Sequence, residues 1–317
     1  MIVSVVFSFF NEEDNIPELI RRVRATLRPL AGVEYEMIFV NDHSTDNSLM
    51  LLKAESDREH DVKIVNMSRN FGVSVCSLAG MRYATGDAVI YLDADLQDPP
   101  ELIPTLLETW KREQADVVHT VRTKREGENR LKLLITKIGY RILRKLANIN
   151  LPENAGDFKL LSRRAVDHLL TLQEKKPFLR GLVVWIGFKQ AQVHYVRESR
   201  FKGVTRFPVF GYKVIDNFLE SALISFSDVP LKVSLIVGFF IAIGAFFYLL
   251  LVVLMKLLGS NLPGWSAIMV TMLMLGGIQL ITIGMLGLYI NSIYLESKKR
   301  PNYIVESAYG FDKRIGD

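Results

Sequence analysis

Ala88-Val89-Ile90-Tyr91-Leu92-Asp93-Ala94-Asp95 is an apolar run of strand length that stops at a pair of carboxylates. Carboxylates at i and i+2 on an extended segment point the same way. One or both can hold a hard divalent cation such as Mg2+ or Mn2+, which in turn neutralises a diphosphate. Asp-x-Asp alone is a weak sign, because most instances are solvated turns. What surrounds the pair decides its meaning.

Working outward, residues 2–10 and 36–40 are further apolar runs, ending in Asn11-Glu12-Glu13 and Asn41-Asp42-His43-Ser44. Each is followed by a helical pattern, Ile16-Leu19-Ile20-Val23-Leu27 and Leu49-Leu52. Val62 to Val65 reads as another strand, and Asp116 to Val121 as a fifth. Strands alternating with helices predict an α/β fold, a mostly parallel sheet with flanking helices. Ligands of such sheets bind beyond the carboxyl ends of the strands. Asn11, Glu12, Asp42, Asp93 and Asp95 stand at those ends. No Gly-x-Gly-x-x-Gly follows the first strand and no Gly-x-x-x-x-Gly-Lys-Ser/Thr loop is present, which argues against dinucleotide and P-loop enzymes.

Composition separates a second region. The 317 residues are 49% hydrophobic and 23% charged, with a net charge of +5 and one cysteine. Disorder, collagen-like repeats and a disulfide scaffold are excluded. From Val233 to Leu295 the only charged side chain is Lys256. Val233 to Met255 and Ala267 to Ile290 each exceed the roughly 20 apolar residues that a bilayer core requires. Gly259-Ser260-Asn261-Leu262-Pro263-Gly264 forms a turn between them, with Trp265 as an interfacial anchor. Arg197, Arg200, Lys202, Arg206, Lys213 and Lys232 precede the first span, and Lys298, Lys299 and Arg300 follow the second. This basic bias predicts a hairpin with both termini in the cytoplasm. The first apolar run lacks a basic start and is followed by acidic residues, so it reads as a strand and no signal peptide is expected. Ser234, Gly238 and Ala242 offer a small-residue surface for helix packing.

The segment Tyr91-Leu92-Asp93-Ala94-Asp95-Leu96-Gln97-Asp98-Pro99-Pro100-Glu101 resembles the central motif of family 2 glycosyltransferases that act on polyprenyl phosphates. Ser68-Arg69-Asn70-Phe71-Gly72, Gly156-Asp157-Phe158-Lys159-Leu160, Ser225-Phe226-Ser227-Asp228-Val229-Pro230-Leu231 and Arg300-Pro301-Asn302-Tyr303 agree in order and spacing. The likeness spans nearly the whole chain and is strongest to bactoprenol glucosyltransferases, relatives of dolichyl-phosphate mannose synthase. It implies a GT-A fold that passes a sugar from a nucleotide sugar, a UDP-sugar by default, to a polyprenyl phosphate lipid. The resemblance also implies that Asn11, Glu12, Asp42 and Asp93 bind the nucleotide sugar, and that Asp95, Gln97 and Asp93 hold Mg2+ or Mn2+. By the same likeness Asp157, with Asp95 and Asp93, belongs to the catalytic set. The implied setting is a bacterial inner membrane, the implied assembly a homo-oligomer, a tetramer in the relatives, and no nucleic acid partner is expected. Ser8, His43 and Arg206 depart from the usual Pro, Gly and Lys, which leaves donor and acceptor specificity open.

The implied chemistry is inverting displacement at an anomeric carbon. A phosphate monoester with a second pKa of about 6 is largely dianionic at neutral pH and needs little help from a base. A base role and an orienting role for Asp157 both stay open. The acceptor does need cationic grip, for which Arg122, Arg125, Arg200 and Arg206 are the candidates, because guanidinium forks bind phosphate bidentately. Residues 130–146 place Leu131, Ile135, Ile138, Ile142 and Leu146 opposite a basic face, which suits either anionic headgroups or packing on the sheet. Phe210, Val214, Phe218, Ala222 and Phe226 predict an interfacial helix. The expected domains are a catalytic unit over 1–207, a juxtamembrane segment over 208–231, two spans within 232–295 (about 233–257 and 265–293) and a tail over 296–317. Rival readings are transfer of another sugar to the same lipid and a catalytically silent nucleotide-sugar-binding scaffold. A processive synthase would carry Gln-x-x-Arg-Trp and more spans, and this chain has neither.

Overall fold

The computed structural model describes residues 1–124, 152, 155–197, 229–258 and 264–311. The expected strands form as β1 (Ile2–Phe9), β2 (Glu34–Asn41), β3 (Val62–Met67), β4 (Ala88–Asp93) and β5 (Val117–Lys124). Three more follow: β6 (Ala155–Ser162), β7 (Gln190–Val196) and β8 (Val305–Tyr309). All eight make one sheet in the order β7-β5-β6-β4-β1-β2-β3-β8. β1 pairs in parallel with β2 and β4, and β3 continues that direction beside β2. β6 runs antiparallel between β4 and β5, and β8 runs antiparallel along β3. The mostly parallel sheet expected from the sequence is present, with two reversed strands that periodicity did not reveal.

Helices cover both faces. α1 (Ile16–Leu27) and α4 (Ile103–Glu113) bury their apolar stripes on one face, against Val3, Val5, Phe7 and Phe39. Phe7 and Phe39 stack at 4.7 Å between adjacent strands, which adds aromatic contact to the parallel pairing. α2 (Ser48–Arg58) contributes Leu52 to the same layer. α3 (Val73–Tyr83), α5 (Arg163–Thr171) and α6 (Leu179–Trp185) cover the opposite face, over Val6, Val40 and Tyr91. Gly80 sets the approach of α3: a Cβ there would lie 2.3 Å from Val6 Cγ1 and 2.8 Å from Val40 Cγ2. No larger residue fits without displacing the helix.

Beyond the sheet lie α7 (Val229–Leu257) and α8 (Trp265–Ser297). Leu231–Met255 and Met274–Ser297 are long and apolar enough to cross a membrane by length and composition. Their large apolar side chains, Phe239, Phe240, Leu280 and Ile283 among them, face outward rather than into a core. The turn at 259–263, the basic amphipathic pattern at 130–146 and the apolar stripe at 210–226 lie outside the described residues.

Candidate active site

The parallel strands bring their carboxyl ends to one rim. Register places Phe9 beside Asn41 and Ser8 beside Asp93, so the polar residues after β1, β2 and β4 converge there. Three non-glycine residues on this rim have left-handed backbone: Asn11 (φ 53°), His43 (φ 64°) and Leu96 (φ 58°). Such conformations are strained for L-residues and persist where the surroundings hold them. Leu96, 1% exposed, is held because its side chain plugs the core while the backbone turns. That turn lets the Gln97 N–H donate to Asp95 Oδ1 at 3.2 Å, so Asp95 and Gln97 are fixed relative to each other. Periodicity cannot register a buried leucine used as the pivot of a loop.

β6 completes the rim from the opposite direction. Because it is antiparallel to β4, with Tyr91 beside Lys159, its first residues reach the end of β4 and Asp157 comes abreast of Asp93. The sequence separates these carboxylates by more than sixty positions. Asp93, at the end of β4, is half-buried and keeps some contact with solvent. Burial, followed by the charges of Asp157, Asp95 and Asp98, raises its carboxyl to about 7. Ser8 Oγ donates to Asp93 Oδ1 at 3.2 Å and opposes that rise. The departure at Ser8 thus adds a hydroxyl donor where the usual proline has none.

Asp157 is set apart by its partner. Burial pushes its carboxyl up, and the Arg180 guanidinium overrides burial and holds it below the usual carboxylate range. Arg180 Nε donates to Oδ1 at 2.6 Å and Nη2 to Oδ2, a bidentate fork. Neighbouring carboxylates titrate as a pair, and here the first proton goes to Asp93. Arg180, at the start of α6, is the residue that sequence reasoning missed. The one signal available was the Leu179-Arg180-Gly181 step at the head of a short apolar helix, too common to single out.

Asn11, Glu12 and Asp42, expected on the nucleotide side, follow β1 and β2 on this rim, and their loops are tied to one another. Asn11 Nδ2 donates to Thr45 Oγ1 at 3.2 Å, and the Thr45 N–H donates to Asn11 Oδ1 at 2.7 Å. The Glu12 N–H donates to Ser48 Oγ at 3.0 Å, and Asn15 Nδ2 donates to the Glu12 carboxylate at 2.5 Å. The loops after β1 and β2 are therefore one connected wall. Asp42 is buried, and its carboxylate accepts the N–H groups of Phe71 (2.6 Å) and Gly72 (3.0 Å). It shapes the Ser68–Gly72 segment as well as standing at the rim. Gly72, at φ 95°, supplies the left-handed turn into α3. Cys76 is buried beneath, where burial and the nearby Asp42 charge push its thiol up, consistent with an inert apolar role.

Of the four cations expected at the acceptor phosphate, Arg122 is described, and Arg125, Arg200 and Arg206 lie outside the described residues. Arg122, its side chain 11% exposed, faces buried Asp98 at 3.5 Å and donates through Nε to Tyr195 Oη at 3.1 Å. Tyr195 Oη in turn donates to Asp98 Oδ1, and Arg197 lies 3.6 Å from the same oxygen. An incoming phosphate would have to compete with Asp98 for Arg122. The cluster braces the loop that carries Asp95 and Gln97. It also explains Gly156, where a Cβ would sit 2.9 Å from Arg122 Nη2.

One row of the sheet beneath the two carboxylates, Tyr91, Lys159 and His119 stand side by side on β4, β6 and β5. Lys159 is 1% exposed, and its Nζ, Tyr91 Oη and His119 Nδ1 lack hydrogen-bond partners among the described residues. Burial lowers the Lys159 ammonium to about 8, although the Asp157 charge works to raise it. Burial also lowers His119, assisted by Lys159, to about 4. Lys159 thus places positive charge under Asp157, and a neutral imidazole completes the row.

The donor set on the rim is all oxygen: Asp93, Asp95, Gln97 and Asp157. Among the described residues no group of three or more His, Cys, Asp or Glu forms a metal cage. One or two carboxylates without a cage fit a hard cation that shares its shell with substrate phosphate and water, and do not fit a structural zinc.

The chain is 41% identical over 312 residues to an uncharacterized glycosyltransferase, YkcC, of Bacillus subtilis, covering 98% of this chain and 95% of the relative. It is 38% identical to a prophage bactoprenol glucosyl transferase homolog of Escherichia coli, covering 96% of this chain and 99% of that protein. Likeness to solved structures is weaker. Glucosyl-3-phosphoglycerate synthase from Mycobacterium tuberculosis aligns at 19% identity and a TM-score of 0.44, over 69% of this chain and 76% of that one. The family described as Glycosyl transferase family 2 matches residues 4–170. An acidic rim on a mostly parallel sheet, joined to near full-length sequence identity with such relatives, leads to one conclusion: the chain belongs to glycosyl transferase family 2 and is a glycosyltransferase.

Proposed function

We propose that the chain transfers a hexosyl group, glucose from UDP-glucose by default, to undecaprenyl or a related polyprenyl phosphate, inverting the anomeric centre. The observation that carries this reading is the pairing of Asp93 and Asp157 across β4 and β6, where burial raises the Asp93 carboxyl and Arg180 holds that of Asp157 low. Such a pair offers a place for a cation at the leaving diphosphate and, beside it, a carboxylate that Arg180 holds ionised. Asp93, Asp95 and Gln97 would hold Mg2+ or Mn2+, which supplies neutralisation of charge on the leaving diphosphate. Asn11, Glu12 and Asp42 line the donor side. Asp157, kept anionic by Arg180, orients the sugar or the incoming phosphate. The names of the bactoprenol relatives support the polyprenyl acceptor.

The apolar lengths of α7 and α8 support a hairpin through the cytoplasmic membrane, with the sheet on the cytoplasmic side. The test is a panel of UDP-, GDP- and dTDP-sugars offered to membranes with undecaprenyl phosphate and Mg2+ or Mn2+. Label is expected in lipid from a UDP-hexose, lost with chelator and reduced at least about 100-fold in Asp95→Ala. Undiminished, still metal-dependent transfer by Asp95→Ala would remove the metal assignment.

A further inference from the structure

A second concavity of about 670 Å3 lies where the end of α8 meets α3 and the loop after α5, and none of its lining residues belongs to the acidic rim. Arg82, Lys175, Lys299 and Arg300 line it, with Glu296 as its one carboxylate and Tyr303 on its wall. The turn that builds it is held from several sides. Lys299 has a left-handed backbone (φ 48°), so the chain reverses directly after α8. Lys175 Nζ donates to the Arg300 carbonyl at 2.5 Å, and the Lys175 N–H donates to Glu296 Oε1 at 2.7 Å. Asn302 Nδ2 donates to the Glu174 carbonyl at 2.7 Å. These bonds fasten the turn and occupy Glu296, while no salt bridge among the described residues involves Arg82, Lys299 or Arg300. Tyr303 and Arg82 both line its wall. The result is a pre-formed basic recess with an apolar floor of Val75 and Leu78.

We propose that this recess binds a phosphate-bearing anion, delivered as the headgroup of an anionic membrane lipid, at a site separate from the reacting acceptor. The proposal rests on the reading of α7 and α8 as membrane-spanning. The last turn of an apolar helix of 33 residues would then set the recess at headgroup depth. Arginine forks match phosphate oxygens, and each basic residue near an anionic surface contributes roughly 1 kcal/mol, or about fivefold in affinity. Bound there, the headgroup would fasten α8 to α3 and the α5–α6 loop, which carry no catalytic group themselves.

The test uses the full chain in nanodiscs of phosphatidylcholine with or without phosphatidylglycerol, and in detergent with inorganic phosphate. Resistance of the protein to alkaline extraction from membranes is scored first, so that failure of the membrane reading is seen separately. Phosphatidylglycerol is expected to raise the melting temperature and to remain bound in native mass spectrometry. The double variant Lys299→Gln/Arg300→Gln should weaken retention by about 10-fold or more. Should the double variant fold poorly, Arg82→Gln, at an exposed position, should weaken it by about fivefold. Equal retention by wild type and the folded variants would overturn the site. Equal protection by inorganic phosphate in detergent would overturn the lipid source.

Discussion

Replacing Asp93 by Asn should stabilise the metal-free protein while abolishing its activity. In the folded chain the Asp93 carboxyl is raised from its ordinary 3.8 to about 7, first by burial and then by Asp157, Asp95 and Asp98. Between those values the folded state binds a proton that the unfolded chain releases, so native stability falls as pH rises through this window. At 1.36 kcal/mol per tenfold change, the full displacement corresponds to about 4 kcal/mol. Contact with solvent and sharing of the proton with Asp157 reduce this to about 1–2 kcal/mol. Asn keeps an oxygen for the Ser8 hydroxyl and carries no charge to desolvate. With chelator present, Asp93→Asn and wild type should melt together near pH 4. By about pH 8 the variant should melt roughly 2–6 °C higher. Transfer activity should fall by about 100-fold or more. A variant that melts below wild type at pH 8, with a gap that does not close toward pH 4, would refute the electrostatic account of this pair.

Arg180→Gln removes the guanidinium that keeps Asp157 ionised, so the acid limb of the pH–rate profile should move upward by about 1–2 pH units, with much of the rate retained at alkaline pH; an unmoved limb would show that Arg180 acts only in folding. Lys159→Met exchanges a buried ammonium that has no hydrogen-bond partner among the described residues for an apolar chain of similar length, and thermal melting should show stability unchanged or higher by about 1–2 kcal/mol. The same variant should also shift the acid limb upward, because Lys159 helps to hold Asp157 low. Gly156→Ala places a methyl group 2.9 Å from Arg122 and should cost about 1–3 kcal/mol by denaturant titration, part of it recovered when Arg122→Ala is added.

The strands that could be read from sequence were those with one apolar run each and a polar stop, namely β1 to β5. β6 shows in the sequence only as the motif Gly156–Leu160, since Lys159 interrupts its apolar pattern and is buried nonetheless. β7 alternates cleanly from Gln190 to Val196 but is short and lies beyond the regular repeat, and β8 is short and half-exposed. α3 hid because nearly all of it is buried, which erases the contrast between faces that a helical pattern needs. The rim residues were legible as polar stops at strand ends. Their relations were not: Asp157 reaches Asp93 only through a strand reversal, and Arg180 reaches Asp157 from another helix. Arg122 was legible as a cation but not as the brace for Asp98, because Asp98 looks like one more acid in an acidic motif.

β8 has a consequence for how the molecule is made. It pairs with β3 across some 240 positions, with Asn66 Nδ2 donating to the Glu306 carboxylate at 2.8 Å, and it follows α8 in the chain. During synthesis the edge of β3 therefore waits, unpaired, until both apolar helices have left the ribosome. Open edges invite pairing with other chains, so the chain is exposed to aggregation during this interval. A fragment cut just before α7 would remain in that interval permanently. Closure of the β3 edge by β8 thus acts as a completion signal: the sheet is finished only after both apolar helices have been made.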